Sequence, residues 1–140
     1  MPISFTLPIH AIPVQTGGKR MAIHNGKPMF FKDKRTSSYL QNVTLLSAQY
    51  RPEAPLEGPL RVVLAFVLPR PLRLAGAKHS QWRLHAPVRP DWDNLCKGLL
   101  DALKGFWLDD AQICSAVVHK YYTSKGEAPC VEVQISQLPE

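Results

Sequence analysis

Apolar and polar positions repeat with two different periods along this chain, and together the periods predict an α/β fold. Residues 3–7, Ile-Ser-Phe-Thr-Leu, alternate as a half-buried β-strand does. Residues 60–68, Leu-Arg-Val-Val-Leu-Ala-Phe-Val-Leu, are almost continuously apolar and rich in β-branched side chains, which is typical of a central strand covered on both faces. Residues 36–50 instead carry apolar side chains at a helical spacing, at Tyr39, Val43, Leu46 and Tyr50.

The C-terminal half predicts a second helix and two further strands. The helix starts at a cap formed by Asp93 or Asn94, runs to Lys104 and stops at Gly105. Its apolar stripe, which we predict to face the core, consists of Leu95, Leu99, Ala102, Leu103 and Phe106. Residues 111–122 and 129–136 are strand-like and flank a turn, so we predict a C-terminal hairpin.

These elements predict one domain over residues 1–140. With a further hairpin turn at residues 24–27, the expected architecture is α/β (α+β), a mixed β-sheet of about four or five strands with two main α-helices packed on it. No apolar run approaches the ~20 residues of a membrane span, and no signal-peptide pattern is present, so we expect a cytoplasmic protein without membrane contacts. The three cysteines, Cys96, Cys114 and Cys130, lack C-x-x-C spacing and predict neither disulfides nor a zinc site.

Charge is distributed unevenly along the chain. Residues 1–89 contain thirteen Lys/Arg and three Asp/Glu, a balance of +10, whereas residues 90–140 contain four Lys/Arg and eight Asp/Glu, a balance of −4. A basic surface beside an acidic cluster suits a metal-dependent enzyme that acts on a polyanion. Basic surfaces also arise for solubility alone, so charge by itself leaves nucleic-acid binding open.

The most basic segment is residues 69–89, which holds five Lys/Arg, two His and Trp82 but no acid. So long a connection is either functional or a disordered surface loop. In the functional interpretation its cations contact DNA phosphates and Trp82 stacks on a base. Together with cations nearer the N-terminus, the predicted DNA-binding set is Lys19, Arg20, Lys32, Lys34, Arg35, Arg70, Arg73, Lys78, Arg83 and Arg89.

Clustered aspartates form the candidate chemical site. Pro90 predicts an extended approach in which Asp91 and Asp93 point to the same side, where two carboxylates would repel unless a cation lies between them. Lys97 follows one helical turn after Asp93 and could reach a phosphate at the helix N-terminus. Asp109 and Asp110 open the next predicted strand and face opposite ways, so periodicity does not choose between them.

An all-oxygen ligand set favours Mg²⁺, with Mn²⁺ as a possible substitute, over zinc. Each part of this pattern also has a structural interpretation. Asp91 and Asp93 could cap a helix, Lys97 could pair with Asp93 and Asp101 on a solvated stripe, and Asp109–Asp110 could be a turn.

Residues 89–113, RPDWDNLCKGLLDALKGFWLDDAQI, resemble the signature of the RusA-type Holliday junction resolvases of bacteria, phages and prophages. That signature is Asp-x-Asp-Asn, a Lys three residues on, Asp-Ala-Leu, and a later Asp-Asp-x-Gln-Ile/Val. The resemblance implies metal binding by Asp91, Asp93 and Asp110, with Asp109 as the adjacent acid, and a catalytic Lys97. It also implies a RusA-like fold and a magnesium-dependent homodimer that nicks a four-way DNA junction symmetrically, in DNA recombination and repair.

Two other functions remain possible from sequence. The chain could be a general nuclease for other branched or single-stranded nucleic acid. It could also be a catalytically inactive phage or prophage DNA-binding protein. The intact carboxylate set argues against the second, because a pure binder has no reason to place repelling charges where phosphates dock.

Overall fold

The computed structural model describes residues 2–14, 19–32 and 34–140, and for residues 19–24 and 28–32 it describes the backbone. Two main helices are present in this part of the chain, α1 (Lys34–Ser47) and α2 (Trp92–Ala102). The strands are β1 (Ile3–Leu7), β2 (Lys19–His24), β3 (Lys27–Lys32), β4 (Leu60–Leu68), β5 (Leu84–His85), β6 (Ile113–Tyr122) and β7 (Cys130–Gln137). No described helix is long and apolar enough to cross a membrane.

The main sheet has five strands in the order β1-β7-β4-β6-β5. The β4–β6 pair is parallel and the other pairs are antiparallel, so the predicted mixed sheet is confirmed. The apolar strand β4 lies at its centre, as its sequence predicts.

The predicted C-terminal hairpin is wrong, because β6 and β7 do not pair with each other. Both strands pair with β4, which lies between them. The connection at 123–129 is long enough to pass the end of one strand, since a strand two places away lies only about 10 Å off. Spacing in the sequence located the turn but could not show that a third strand fills the gap.

The hairpin turn predicted at residues 24–27 is confirmed. Strands β2 and β3 form a separate antiparallel pair. Asn25 and Gly26 both have positive φ, 52° and 76°, as a two-residue hairpin turn of the favoured twist requires.

Helix α2 packs against the sheet with its predicted apolar face. Leu95, Leu99, Leu103 and Phe106 are completely buried and join the core with residues of β4 and β7. The segment before α1 crosses α2 closely, since Val14 N–H donates to the Asn94 carbonyl at 3.1 Å. Gly98 makes this approach possible, because a Cβ there would lie 2.6 Å from Val14 Cγ2.

The ends of α2 differ from the prediction by about half a turn. Asp91 is the N-cap, not Asp93 or Asn94, and the helix ends at Ala102 instead of Lys104. Pro90 restricts only the residue before it, so the helix is free to begin at Trp92. Asp93 consequently lies in the first helical turn.

Candidate metal centre and cationic surface

Asp91 and Asp93 lie at the N-terminus of α2, where backbone N–H groups give a partial positive charge. Asp91 has the extended N-cap conformation, yet its side chain makes no capping hydrogen bond. Both side chains are exposed, and neither forms a hydrogen bond or ion pair with any described residue. The carboxylate oxygens at this helix end therefore remain available to a ligand.

Two expectations about these aspartates change with the helix boundary. The prediction that Asp91 and Asp93 extend to the same side of an extended segment is wrong, since Asp93 is already helical. The capping alternative is borne out in position, since Asp91 is the N-cap and Asp93 lies in the first turn, but the Asp91 side chain makes no capping hydrogen bond. Nearby Cys96 is buried, and burial together with the charge of Asp93 raises the pKa of its thiol to about 11. The free thiol of Cys96 is therefore protonated at neutral pH.

Lys97 lies one turn after Asp93 on the exposed face of α2. Asp101 and Lys104 continue this polar stripe, and all four side chains are exposed as predicted. Among the described residues, Lys97 forms no salt bridge with either neighbouring aspartate. The interpretation of this stripe as a set of ion pairs is therefore not supported, and the approach of the Lys97 ammonium to a phosphate stays a prediction.

Asp109 and Asp110 lie in a short 3-10 turn before β6 instead of opening the strand, and the turn gives them different surroundings. The Asp109 carboxylate accepts a hydrogen bond from Ala111 N–H at 2.8 Å. Gln112 Oε1 accepts from Leu108 N–H and Asp109 N–H, both at 2.8 Å, which completes a capping box. Asp109 is thus occupied in building the turn.

Asp110 is held by a buried aromatic residue. The indole Nε1–H of Trp107 donates to Asp110 Oδ1 at 2.8 Å, while the Asp110 side chain remains exposed. Gln112 anchors the same turn to the segment before β4 by donating to the carbonyls of Leu56 and Gly58, each at 3.0 Å. One oxygen of Asp110 is held by the indole bond and the side chain is exposed, so the choice of Asp110 over Asp109 as the ligand stays a prediction.

Trp107 and Gln112 were not among the predicted site residues. The sequence does carry a signal for Gln112, because Asp followed three residues later by Gln is the spacing of a capping box. Trp107 precedes Asp110 by the same three residues, but only the folded turn shows that its indole meets the carboxylate. Both residues position the acids of this turn.

The two acidic groups lie near opposite ends of β6. Lys120, near the C-terminal end of β6, donates through Nζ to the carbonyls of Val88 and Pro90 at 2.6 and 2.7 Å, which fixes the approach to Asp91 there. Asp110 precedes the N-terminal end at Ile113, and the seven residue steps from Ile113 to Lys120 span about 23 Å. Accordingly, no three His, Cys, Asp or Glu side chains of the described residues form a group that could hold a metal ion.

The predicted meeting of Asp110 with Asp91 and Asp93 therefore does not occur within the described part of one chain. The donors themselves are suited to a hard cation, because they are carboxylate oxygens with few internal partners. Their assignment as metal ligands stays a prediction.

The basic segment at residues 69–89 is an ordered loop and not the disordered one considered above. Arg70 donates to the carbonyls of Thr123, Leu74, Ser80 and Trp82, at 2.9, 3.1 and 2.7 Å for the first three. Lys125 Nζ donates to the carbonyls of Gly76 and His79, each at 2.9 Å. The side chains of Arg70 and Lys125 thus donate hydrogen bonds to backbone carbonyls and hold the loop in place.

Arg83 also has an internal role. Its guanidinium forms salt bridges with Glu127 at 2.6 Å and Glu132 at 2.8 Å. These bonds raise the pKa of Arg83 and, in return, lower the pKa of Glu127. With its donors occupied by carboxylates, Arg83 fastens the loop to the sheet and is poorly placed to contact phosphates.

The remaining predicted DNA contacts separate into two groups. One group is exposed and consists of Arg73, Lys78, Arg89, Lys34 and Arg35. The side chains of the first four form no hydrogen bond or ion pair with the described part of the chain. The side chains of Lys19, Arg20 and Lys32 lie outside the described residues. Trp82 is 72% exposed and could stack on a base. DNA binding by all these residues stays a prediction.

Comparisons with known proteins agree with this arrangement. The family model described as endodeoxyribonuclease RusA matches residues 11–136. The uncharacterized protein YqaN of Bacillus subtilis (strain 168) is 34% identical over 143 residues, which cover 97% of this chain and 96% of YqaN. The matched region contains both acidic groups and the whole of the basic loop.

Proposed function

This chain belongs to the RusA family of endodeoxyribonucleases, and on that premise we propose that it resolves Holliday junctions by paired, symmetric, magnesium-dependent nicks. The observation that carries the proposal is the N-terminus of α2, where the side chains of Asp91 and Asp93 are exposed and have no hydrogen-bond or ion-pair partner among the described residues. Unpaired carboxylates beside the exposed cation of Lys97 suit a site that binds a metal and a phosphodiester together.

Asp91, Asp93 and Asp110 are the proposed ligands of Mg²⁺, for which Mn²⁺ could substitute. When bound, the ion supplies Lewis-acid stabilisation of the charge that develops on the scissile phosphate. Lys97 contributes a second positive charge at the phosphate or at the leaving oxygen. The free N–H groups of the first turn of α2 orient the same phosphate. Trp107 holds one oxygen of Asp110, so that the carboxylate presents the other outward.

We infer that two chains complete each site, because Asp110 lies far from Asp91 and Asp93 within one chain. In a homodimer the acidic turn of one protomer would face the α2 N-terminus of the other. Such a dimer has two equivalent sites related by a two-fold axis, and a four-way junction offers two equivalent strands. Paired symmetric cuts follow from this correspondence.

Exposed cations would bind the arms of the junction through their phosphates. The proposed set is Lys19, Arg20, Lys32, Lys34, Arg35, Arg73, Lys78 and Arg89. The set leaves out Arg70 and Arg83, because their guanidinium groups are bonded within the protein and hold the loop in place. Since phosphate contacts release counterions, junction binding should weaken steeply with added salt. A flat response to salt would contradict this contact set.

The test compares a synthetic four-way junction, a linear duplex and a single strand, each with Mg²⁺ or with EDTA. Asp93→Asn is assayed beside Asp101→Asn, a matched control on the same exposed face of α2. We expect paired nicks in the junction only, dependent on Mg²⁺, lost in Asp93→Asn and retained in Asp101→Asn. Cleavage of all three substrates would indicate a general nuclease. Tight junction binding without cleavage by the wild-type protein would indicate an inactive DNA-binding protein.

A further inference from the structure

The basic loop at residues 69–89 presents a large apolar side chain to solvent. Leu72 is 92% exposed, the highest exposed fraction among the large apolar residues that the structure describes. It is the first residue of a short 3-10 turn, Leu72–Leu74, which two backbone hydrogen bonds of 3.0 Å close. The turn therefore holds Leu72 away from the core and in contact with water.

The turn that carries Leu72 is anchored on its inner side. Leu74, its last residue, packs against the small apolar cluster at the C-terminal ends of β4 and β6. The Arg70 guanidinium donates to the carbonyls of Leu74 and Ser80 at 3.1 and 2.7 Å, and also to the carbonyl of Trp82. Leu72 therefore projects from a turn that core packing and hydrogen bonds hold in place.

Trp82 lies beside this turn, because its carbonyl and that of Leu74 bond to the same guanidinium group. The Trp82 side chain is 72% exposed. Arg73, which follows Leu72, is exposed and has no hydrogen-bond or ion-pair partner in the described part of the chain. The whole loop contains five Lys/Arg and no acid. Two large apolar side chains thus lie on a surface of positive charge.

This combination matches DNA at a point where base faces are open to contact. Cations without neighbouring acids attract phosphates. Apolar side chains gain little from a phosphate backbone, but they insert between base steps, and an aromatic ring stacks on an unstacked base. The charge of the loop therefore selects a polyanion, and its apolar side chains select the bases of that polyanion.

The loop also lies at the same end of the sheet as one of the acidic groups. It leaves β4 after Leu68 and leads back to Asp91. Lys120 Nζ, near the C-terminal end of β6, bonds the carbonyls of Val88 and Pro90 in the returning segment. One DNA molecule can therefore contact both the loop and the Asp91 group.

We propose that Leu72 inserts between bases at the branch point of a four-way junction and that Trp82 stacks on a base that Leu72 displaces. The inference rests on the proposed function only in the choice of a junction as the DNA. Insertion into a regular duplex costs unstacking free energy, and this cost is smaller at a branch point, where the stack is already interrupted. Leu72 and Trp82 thus favour branched DNA, whereas the exposed cations bind any DNA.

The test measures base stacking and DNA binding in EDTA, so that it needs no cleavage. A synthetic junction carries 2-aminopurine, a base whose fluorescence rises on unstacking, next to the branch point, and a linear duplex carries it at an internal position. Leu72→Ser removes the apolar side chain, and Leu72→Met restores one. Leu45→Ser makes the same change at a 73% exposed position on α1 and is the matched control.

We expect the wild-type protein, Leu45→Ser and Leu72→Met to raise the fluorescence of the junction, and Leu72→Ser to lose most of this rise. The dissociation constant for the junction should increase about 10-fold in Leu72→Ser. In Trp82→Ala it should increase about 5- to 100-fold, the size of one lost stacking contact. Affinity for the linear duplex and the salt dependence of binding should stay unchanged in Leu72→Ser, because no phosphate contact is lost. Partial unfolding would instead weaken binding to both DNAs.

Two results would overturn the inference. One is an equal rise in fluorescence with the wild-type protein and Leu72→Ser. The other is an equal loss of affinity for junction and duplex in Leu72→Ser while circular dichroism shows a folded protein. A Leu72-dependent rise in a protein that does not cleave junctions would support the inference and count against the proposed function alone. Cleavage of junctions without any rise would do the reverse.

A membrane surface is the alternative partner for apolar side chains among cations. The same variants are therefore mixed with vesicles of phosphatidylserine and phosphatidylcholine. We expect no binding that depends on Leu72. Vesicle binding that Leu72→Ser abolishes, together with unchanged fluorescence of the junction, would assign Leu72 to a lipid surface and overturn the inference.

Discussion

The acidic groups near the two ends of β6 are built in opposite ways. At the N-terminus of α2, the side chains of Asp91 and Asp93 are exposed and have no hydrogen-bond or ion-pair partners among the described residues. In the turn before β6, Asp110 is fixed by the Trp107 indole and Asp109 by a capping box. The carboxylates of the first group have no internal hydrogen-bond partners, whereas both carboxylates of the second group accept hydrogen bonds from the turn that carries them. One group therefore supplies carboxylates without internal partners and the other supplies carboxylates in fixed positions, which is the contrast we expect if the two groups form one site between two chains.

The largest expected effect comes from removing the charge of Asp110 while keeping its hydrogen bond. Asp110→Asn retains an oxygen that can accept from the Trp107 indole, so the melting temperature should change little. Loss of the negative charge should lower Mg²⁺-dependent junction cleavage by roughly 10²–10³-fold, the size of a lost electrostatic contribution at a reacting centre. Cleavage rates and thermal unfolding of the same preparation measure both. Cleavage by Asp110→Asn at the wild-type rate would contradict the assignment of Asp110 to the site.

A smaller effect should follow from releasing Asp110 without altering it. Trp107→Phe keeps a large aromatic side chain in the core but removes the N–H that orients the carboxylate. We expect the Mg²⁺ concentration for half-maximal cleavage to rise about 10- to 100-fold, as for other residues that orient metal ligands. Activity should recover at high Mg²⁺, which loss of folding could not explain. An unchanged Mg²⁺ requirement would mean that the indole bond has only a structural role.

The smallest effect should come from Asp109, the neighbour of Asp110. Asp109→Ala removes a capping acceptor and should lower the free energy of unfolding by about 1 kcal/mol. Cleavage at a temperature where the variant is folded should fall much less than in Asp110→Asn. Denaturant unfolding and cleavage assays of the two variants give the comparison directly. Asp109→Ala with near-normal stability and abolished cleavage would exchange the roles assigned to the two acids.

Local patterns in the sequence predicted most of the individual elements. The apolar run of β4, the buried stripe of α2 and the Asn25–Gly26 turn are confirmed because each depends on residues close in sequence. The C-terminal hairpin failed because the pairing of β6 and β7 depends on β4, a strand more than 40 residues earlier. Periodicity identifies strands, but it carries no information about which strands become neighbours.

The candidate site shows the same limit at finer detail. Sequence identified the acids but placed Asp109 and Asp110 in a strand, where alternation would have decided between them. The observed turn gives the two acids different partners, the Trp107 indole for Asp110 and the capping box with Gln112 for Asp109, and both side chains are exposed. The sequence also could not predict the separation of Asp110 from Asp91, because the resemblance names site residues without saying how many chains supply them.

Complementation between two inactive variants tests the central claim, a site shared by two chains, most directly. Asp93→Asn and Asp110→Asn are mixed under conditions that allow subunit exchange, so that about half of the dimers are heterodimers by random pairing. Each heterodimer then holds one site with both changes and one with neither. The account predicts that Mg²⁺-dependent cleavage returns to about a quarter of the wild-type site number, as single nicks in place of paired ones. No cleavage above that of the separate variants, in a mixture that native mass spectrometry shows to contain heterodimers, would contradict it.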